Sequence, residues 1–231
     1  MNLPEVLTEL KALANPAVAR RMERFGLPSE GSLGISAPHL HALAKKIGTD
    51  QNLSLQLWKT GIRDAQTLAA LIGDPALVTD SQMERWIKDV DSWGTCDACC
   101  GCLFVYSPLA LKKAFQWCED EREFVKRAGF VLMAEAAIHR KELADSAFRP
   151  MLRAIRKGST DERNFVRKAV NWALRQIGKR NLRLNKLAIA EGEKIRNIDS
   201  RAARWIAADA LRELRSVQVQ RRLQKWEQKS R

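Results

Sequence analysis

The stretch RNFVRKAVNWALRQIGKRN at residues 163–181 contains FVRKA at 165–169, which repeats FVKRA at 124–128 after 41 residues. A fainter echo, IAADAL, follows at 206–211 with the same offset. Each copy opens an amphipathic segment that is followed by a second one. Helix pairs that recur every 40 to 47 residues or so are typical of stacked helical arrays. The repeat therefore predicts a solenoid of helix pairs with a concave binding surface.

The composition favours helices along the whole chain. Of the 231 residues, 45% are hydrophobic, and only 12 are glycine and 7 proline. No run alternates Val, Ile, Thr and Tyr as a half-buried strand would. The one long loop, 26–37, is too short for an interdomain linker. We expect an all-α, HEAT-like repeat solenoid of about a dozen helices, in a single domain over residues 1–231.

The sequence also bears on where the protein acts. No window approaches the roughly 20 apolar residues that span a bilayer. The first residues, MNLPEVLTEL, lack the basic and apolar regions of an export signal. Five cysteines in such a chain predict reduced thiols rather than a disulfide framework. We expect a cytoplasmic protein without membrane contact, which acts as a monomer.

The net charge of +13 is distributed unevenly. Residues 1–115 hold 12 Lys and Arg against 12 Asp and Glu, whereas residues 116–231 hold 28 against 15. A neutral half followed by a strongly basic half indicates a polyanionic partner that meets one part of the surface. A solvated surface that keeps the protein soluble would explain the same charge.

The helix predicted over 161–178 places Trp172 at the margin of its apolar face, beside Lys168 and Lys179. Residues 163–186 include eight basic residues and no acidic one, which makes this segment the most positive of the chain. A structural tryptophan half-covered by lysine stems is one interpretation. The other is an aromatic ring that touches a sugar or base while its neighbours bind phosphates.

The segment DSWGTCDACCGCLF, residues 91–104, packs four cysteines into seven positions. Cys96, Cys99 and Cys100 could share a helix face, but structural zinc sites draw on a second pair of ligands, and none follows here. A redox pair normally starts a helix after a strand, and no strand is predicted. Seven residues of the segment are small and let two helices approach closely: Gly94, Cys96, Ala98, Cys99, Cys100, Gly101 and Cys102. We therefore expect close helix packing, with no metal and no cofactor, and keep a zinc site as an alternative.

The same segment places Trp93 and Asp97 one helical turn apart. Residues at positions i and i+4 lie on the same face, so the two side chains are neighbours. Cys100 and Phe104 continue that stripe. A core tryptophan beside a surface acid is therefore one interpretation, and a functional pair is the other.

Four segments together resemble one known family. They are SLGISAPHLHALAKKIG at 32–48, VDSWGTCD at 90–97, EFVKRAGF at 123–130 and RNFVRKAVNWALRQIGKRN at 163–181. In this order they resemble the AlkD-type DNA alkylation repair family, the HEAT-like repeat DNA glycosylases. The last of the four is the most specific.

The resemblance implies a C-shaped solenoid whose basic concave face binds double-stranded DNA containing alkylated bases. It implies hydrolysis of the N-glycosidic bond of cationic purines such as 3-methyladenine and 7-methylguanine, without base flipping, by a nucleoid-associated protein. The family's catalytic residues correspond to Trp93, Asp97 and Trp172, and its phosphate-binding arginine to Arg127. Where the family has an aromatic residue before the LGI segment, this sequence offers only Phe25.

The basic residues of the tryptophan-bearing segment complete the expected DNA contacts. With Arg127 they are Arg163, Arg167, Lys168, Arg175, Lys179, Arg180 and Arg183. An alternative function uses the same basic face without catalysis: a HEAT-like module that binds damaged or structured DNA, or RNA.

Overall fold

The computed structural model describes residues 1–229, and in this range helices alternate with short connections and no strand occurs. The all-α prediction is confirmed, with fourteen α-helices in the described part of the chain. Contacts divide the chain into two compact units, the first ending at Pro108 and the second beginning at Leu109. The single domain expected over residues 1–231 stays a prediction. Within residues 1–229, no helix is both long and apolar enough to cross a membrane.

The first unit holds seven helices around an aromatic core. They are α1 (Leu3–Ala12), α2 (Pro16–Met22), α3 (Ala37–Ile47), α4 (Gln51–Trp58), α5 (Arg63–Ile72), α6 (Asp80–Asp89) and α7 (Trp93–Ala98). At the centre, the rings of Trp58 and Trp86 stack with centroids 4.1 Å apart and planes 4° apart. Phe104 packs against Trp86 with its centroid at 5.9 Å. These buried rings pack the end of α4 against α6 in the core of the first unit.

Polar caps set where the helices of this unit begin. Asn2 forms a capping box with Glu5, and Asn15 precedes Pro16 and accepts a hydrogen bond from the backbone of Val18. A cap satisfies amide groups that the first helical turn leaves without partners, and a proline there costs no hydrogen bond. Helices α1 and α2 therefore each begin directly after an asparagine whose side-chain oxygen accepts a backbone hydrogen bond.

The second unit holds the other seven helices. They are α8 (Ala110–Trp117), α9 (Glu123–His139), α10 (Phe148–Gly158), α11 (Asn164–Gly178), α12 (Leu182–Arg196), α13 (Arg201–Leu214) and α14 (Val217–Lys229). Helix α11 packs between α9 and α13, while α10 and α12 form the second members of the helix pairs. Residues on the predicted apolar face of α11 are buried, among them Val166, Ala169, Val170 and Leu174. The apolar face predicted for this helix is confirmed.

The repeated residues occupy the same positions in α9 and α11. Phe124 and Phe165 are the second residues of their helices, and their rings pack with centroids 5.6 Å apart. The Arg127 Nη1 atom donates a hydrogen bond of 2.7 Å to the carbonyl oxygen of Phe165. Successive repeats therefore contact each other through the residues that repeat. The third echo, 206–211, lies on α13 but starts one turn later than in the other two helices.

The sequence repeat also includes the three residues directly before α9 and α11. DER occurs at 120–122 and at 161–163, directly before α9 and α11. In each copy the aspartate accepts hydrogen bonds from the backbone and the guanidinium of its own arginine, Asp120 from Arg122 and Asp161 from Arg163. An acidic cap of this kind offsets the positive end of the helix dipole.

Gly129 allows α9 to approach α8 closely. A Cβ atom at this position would lie 2.8 Å from the Cα atom of Cys118 and 2.9 Å from the carbonyl oxygen of Ala114. Both contacts are with backbone atoms, which cannot move aside as a side chain can. At Gly192 in α12, by contrast, a Cβ atom would meet only the flexible side chain of Leu211, at 3.0 Å.

We predict that Gly129→Ala lowers the free energy of unfolding by about 1–3 kcal/mol, because overpacking outweighs the helix propensity gained. Gly192→Ala is the matched control and should change stability by less than about 1 kcal/mol. Urea denaturation of both variants measures the difference. A Gly129→Ala variant as stable as the wild type would show that α8 and α9 do not need this close contact.

Candidate functional site

Trp93 and Asp97 share one face of the short helix α7, as their spacing predicts. Ser92 caps the helix through its side chain, Trp93 is the first residue and Asp97 the fifth, and both side chains are half-buried. The Trp93 Nε1 atom donates a hydrogen bond of 2.9 Å to the carbonyl oxygen of Phe25. This bond fixes the indole ring against the chain that leads into the long loop of the first unit.

The loop, residues 26–36, is held by the carboxylate of Asp64. Its Oδ2 atom accepts from the backbone N of Leu33 at 2.6 Å, and its Oδ1 atom accepts from the backbone N of Ile35 at 2.9 Å. Gly34 sits at φ 72°, where a side chain would clash with the second helix. The glycine-rich loop is therefore a fixed element, although its composition resembles that of a mobile one.

Phe25 stands at the start of this loop and projects into solvent. Its side chain is 54% exposed, and the guanidinium of Arg24 lies 4.7 Å above its ring. Between the loop, α2, α3 and the start of α7 lies an apolar cleft of about 400 Å³. Gly94, next to Trp93, lines this cleft, where a side chain at that position would press against Leu27.

The cysteines on either side of Asp97 are packed in the interior of the first unit. Cys96, Cys99 and Cys100 are completely buried, and the last two belong to a π-helical turn, Cys99–Leu103. Burial raises the pKa of Cys99 and of Cys100 well above the ordinary value, so both thiols are protonated at neutral pH. Within residues 1–229, no group of three or more His, Cys, Asp or Glu side chains is arranged to hold a metal ion.

Trp172 lies on α11 at the margin of the apolar face, as the spacing of the sequence predicts. It is half-buried, with the exposed Lys168 one turn before it. The Gln176 amide, oriented so that both neighbours are satisfied, accepts hydrogen bonds from Trp172 Nε1 at 2.8 Å and from Lys179 Nζ at 3.3 Å. The indole edge is thereby tied to the helix, while part of its ring remains accessible.

Arg127 is buried rather than open to solvent. Only 6% of its surface is exposed, and its guanidinium holds the first turn of α11 through the carbonyl of Phe165. The Arg163 guanidinium donates to the carboxylate of Asp161, and Arg167 lies with its guanidinium 5.2 Å above the ring of Trp205. These arginines therefore already have contacts within the protein.

Two further basic residues of α11 are paired with acids of α13. Arg175 Nη1 lies 2.7 Å and Lys179 Nζ 2.8 Å from the carboxylate of Glu213, and Asp209 lies 3.8 Å from Arg175. Burial alone would raise the pKa of Glu213, but the hydrogen bond from Lys179 and the charge of Arg175 hold it below its usual range. The carboxylate is therefore ionised at neutral pH and cancels much of the positive charge there.

Arg180 stabilises the C-terminal end of α9 through hydrogen bonds. Its guanidinium donates to the carbonyl oxygens of Ala137, Arg140, Lys141 and Leu143, and it lies 4.8 Å above the ring of Phe148. Carbonyls at a helix end lack partners within the helix, so one planar guanidinium here satisfies several of them. Arg183, by contrast, is exposed and only reaches Asp145 at 4.0 Å.

The stacked helix pairs, with a tryptophan and basic side chains along α11, define a HEAT-like helical repeat protein. A family model described as DNA alkylation repair enzyme matches residues 6–214, and the chain belongs to this family. A search of curated proteins finds no matching sequence.

The fold is shared with a solved structure described as a new family of proteins related to the HEAT-like repeat DNA glycosylases, with affinity for branched DNA structures. The two structures superpose with a TM-score of 0.77 at 22% identity, over 92% of this chain and 95% of that one. The predicted HEAT-like fold is thereby confirmed.

The structure thus places the expected residues in two groups. Trp93 and Asp97 lie on α7 of the first unit, and Lys168 and Trp172 lie along α11 of the second. The sequence analysis missed Glu213, which pairs with α11 from the next repeat. The 41-residue offset aligns α13 with α11 and shows acids on the later helix, but it does not tell which basic residue each acid meets.

We predict that Glu213→Gln increases affinity for duplex DNA by roughly three- to tenfold at low salt, because it releases Arg175 and Lys179 for phosphates. The plot of log affinity against log salt concentration should become steeper, by up to about two released counterions. Fluorescence anisotropy titrations at several salt concentrations measure both quantities.

Glu119→Gln is the matched control. It removes the same charge in the same unit, but its partner is Lys157 on α10 rather than a residue of α11. Its affinity should match that of the wild type. Equal gains in both variants would show that overall charge, and not the release of Arg175 and Lys179, sets the affinity.

Proposed function

We propose that this protein is a DNA glycosylase that hydrolyses the N-glycosidic bond of cationic alkylated purines in duplex DNA. The observation that carries the proposal is the half-buried carboxylate of Asp97, one helical turn from a tryptophan whose ring is fixed by a hydrogen bond. Membership of the DNA alkylation repair enzyme family supports this chemistry.

The reaction needs few groups because the substrate is already activated. When the bond between C1′ and the purine nitrogen breaks, both electrons go to the base, which leaves neutral because its alkyl group had made it cationic. No general acid has to protonate it, in contrast to ordinary glycosidases with their two carboxyl groups. The protein then has to stabilise only the positive charge that develops on the deoxyribose.

Asp97 supplies the negative charge that this sugar requires. An ionised carboxylate stabilises an oxocarbenium-like transition state electrostatically and can accept a hydrogen bond from the attacking water. The water oxygen adds to C1′, and its proton passes along that hydrogen bond to the Asp97 carboxylate and then to solvent, which completes hydrolysis and restores the carboxylate. Half-burial restricts the solvent around the carboxylate, and this strengthens its interaction with the developing cation.

The tryptophans act through their ring faces. Trp93 and Trp172 attract a cationic nucleotide by cation–π interactions of about 1–2 kcal/mol each. The hydrogen bonds at their indole edges fix both rings before DNA arrives, which lowers the entropic cost of binding. Selectivity for cationic lesions follows from this attraction and from the lability of the bond.

The basic residues divide into two roles in this proposal. The exposed Lys168 and Arg183 contact phosphates directly. Arg127 serves as a positioning residue, since its guanidinium holds the first turn of the helix that carries Trp172. The protein acts as a monomer on double-stranded DNA near the lesion.

A second function is a module that binds structured DNA without releasing a base. The observation in its favour is the fold shared with a protein described as having affinity for branched DNA structures. This alternative predicts salt-sensitive binding to junctions or flaps, with wild-type protein that leaves methylated bases in place.

We predict that the wild type releases 7-methylguanine from methylated duplex DNA and that Asp97→Asn slows the release at least about 100-fold, the loss expected for one electrostatic group. Affinity for the same DNA should change less than about threefold. Chromatography of the freed base under single-turnover conditions measures the rate.

Asp74→Asn makes the same substitution in the same unit at a position that is also half-buried, and asparagine caps a helix as well as aspartate does. This control should release base at the wild-type rate. If the wild type releases no base yet binds branched DNA, the second function is correct.

We further predict that Asp97→Asn and Trp93→Ala, both on α7, are not additive. If both side chains act on the same transition state, the double variant loses less than the sum of the two single losses in activation free energy, by about 1 kcal/mol or more. A double-mutant cycle of single-turnover rates measures this coupling. Strict additivity would mean that the two residues act on separate steps.

A further inference from the structure

The last helix, α14, lies beyond the residues that match the family model, 6–214. Its inner side is firmly attached, because Val219 and Leu223 are buried. Gln220 Nε2 donates to the carbonyl of Leu214 at 2.6 Å and to Asn185 Oδ1 at 3.0 Å. Helix α14 is therefore part of the second unit and presents a fixed outer surface.

That outer surface is basic and carries an exposed tryptophan. Residues 217–229 include four Lys and Arg and one Glu. Trp226 is 47% exposed, and the guanidinium of Arg222 lies 5.2 Å above its ring. Arg222 also donates to the carbonyl of Lys179 at 3.4 Å, which places the tryptophan close to the end of α11.

Trp226 forms one wall of a cleft of about 410 Å³, together with Leu223 and Glu227. Residues 180–183, which comprise the end of the turn after α11 and the first residues of α12, form the other wall. The side chain of Arg183 there is 70% exposed and makes only a long contact of 4.0 Å with Asp145. The cleft thus combines an aromatic wall with an accessible guanidinium on the opposite side.

An aromatic ring opposite an arginine fits a nucleotide whose base is unpaired. Bases stack on exposed tryptophans whatever their sequence, while arginine binds the phosphate. A paired base inside a duplex has both faces covered by its neighbours and cannot enter such a cleft. The volume lies within the range of about 300–1,000 Å³ that suits small organic groups.

We propose that the cleft between α12 and α14 binds one unpaired nucleotide of single-stranded DNA, with the base against Trp226 and its phosphate at Arg183. This site is separate from Trp93, Asp97 and Trp172 and needs no alkylated base. It would give the protein a preference for DNA in which a single strand adjoins the duplex.

The test uses unmethylated DNA, so that its result does not depend on base release. Full-length wild type and Trp226→Ala are titrated with a labelled single strand of about 12 nucleotides and with a blunt duplex of the same length. Trp226→Ala should weaken single-strand binding about tenfold, as expected for the loss of one stacked base, and change duplex binding less than twofold.

Trp205→Ala is the matched control. Trp205 is 39% exposed in the same unit and likewise has an arginine 5.2 Å above its ring, but it does not line the cleft. Its replacement should leave single-strand affinity within about twofold of the wild type. Trp226→Phe keeps an aromatic face and should retain most of the affinity, which distinguishes stacking from a general effect on folding.

Photocrosslinking locates the contact directly. A single strand that contains 5-iododeoxyuridine should crosslink to Trp226, as identified by mass spectrometry of the digested protein. Crosslinks confined to other residues, or equal losses for Trp205→Ala and Trp226→Ala, would overturn the proposal. Tighter binding of a single-stranded RNA of the same sequence would also overturn it, since the site would then not be one for DNA.

Discussion

The hydrogen bond from Arg127 to the carbonyl of Phe165 is the contact on which the arrangement of the second unit depends. It joins two consecutive repeats, next to the packed rings of Phe124 and Phe165, which occupy equivalent positions. The guanidinium is buried, and a hydrogen bond from a charged donor contributes more than a neutral one. This contact, together with the packed rings, holds the first turn of α11, the helix that carries Trp172, against α9.

The sequence was sufficient to predict an all-helical fold and the face that α11 buries. Periodicity places Val170 and Leu174 inside, and spacing places Trp93 beside Asp97, because both depend on the local geometry of one helix. The sequence could not show that Glu213 pairs with Arg175, or that Arg180 closes the end of α9. Those contacts join residues 37 to 43 positions apart, and they depend on how neighbouring helices pack.

Much of the positive charge of the second half is used inside the protein. Arg127 and Arg180 donate hydrogen bonds to backbone carbonyls, while Arg175 and Lys179 form ion pairs with the next repeat. The net charge of +13 therefore overstates the number of cations that remain available to a polyanionic partner. Lys168 and Arg183 are exposed, whereas Arg127 and Arg180 hold neighbouring helices together.

The bond between Trp93 and the carbonyl of Phe25 connects the loop of the first unit to α7. Asp64 holds the other end of the same loop through the amides of Leu33 and Ile35. Any opening of α7 must therefore release the loop, and loosening of the loop frees the indole. We therefore expect the two segments to unfold locally as one unit, with amides that exchange with solvent together.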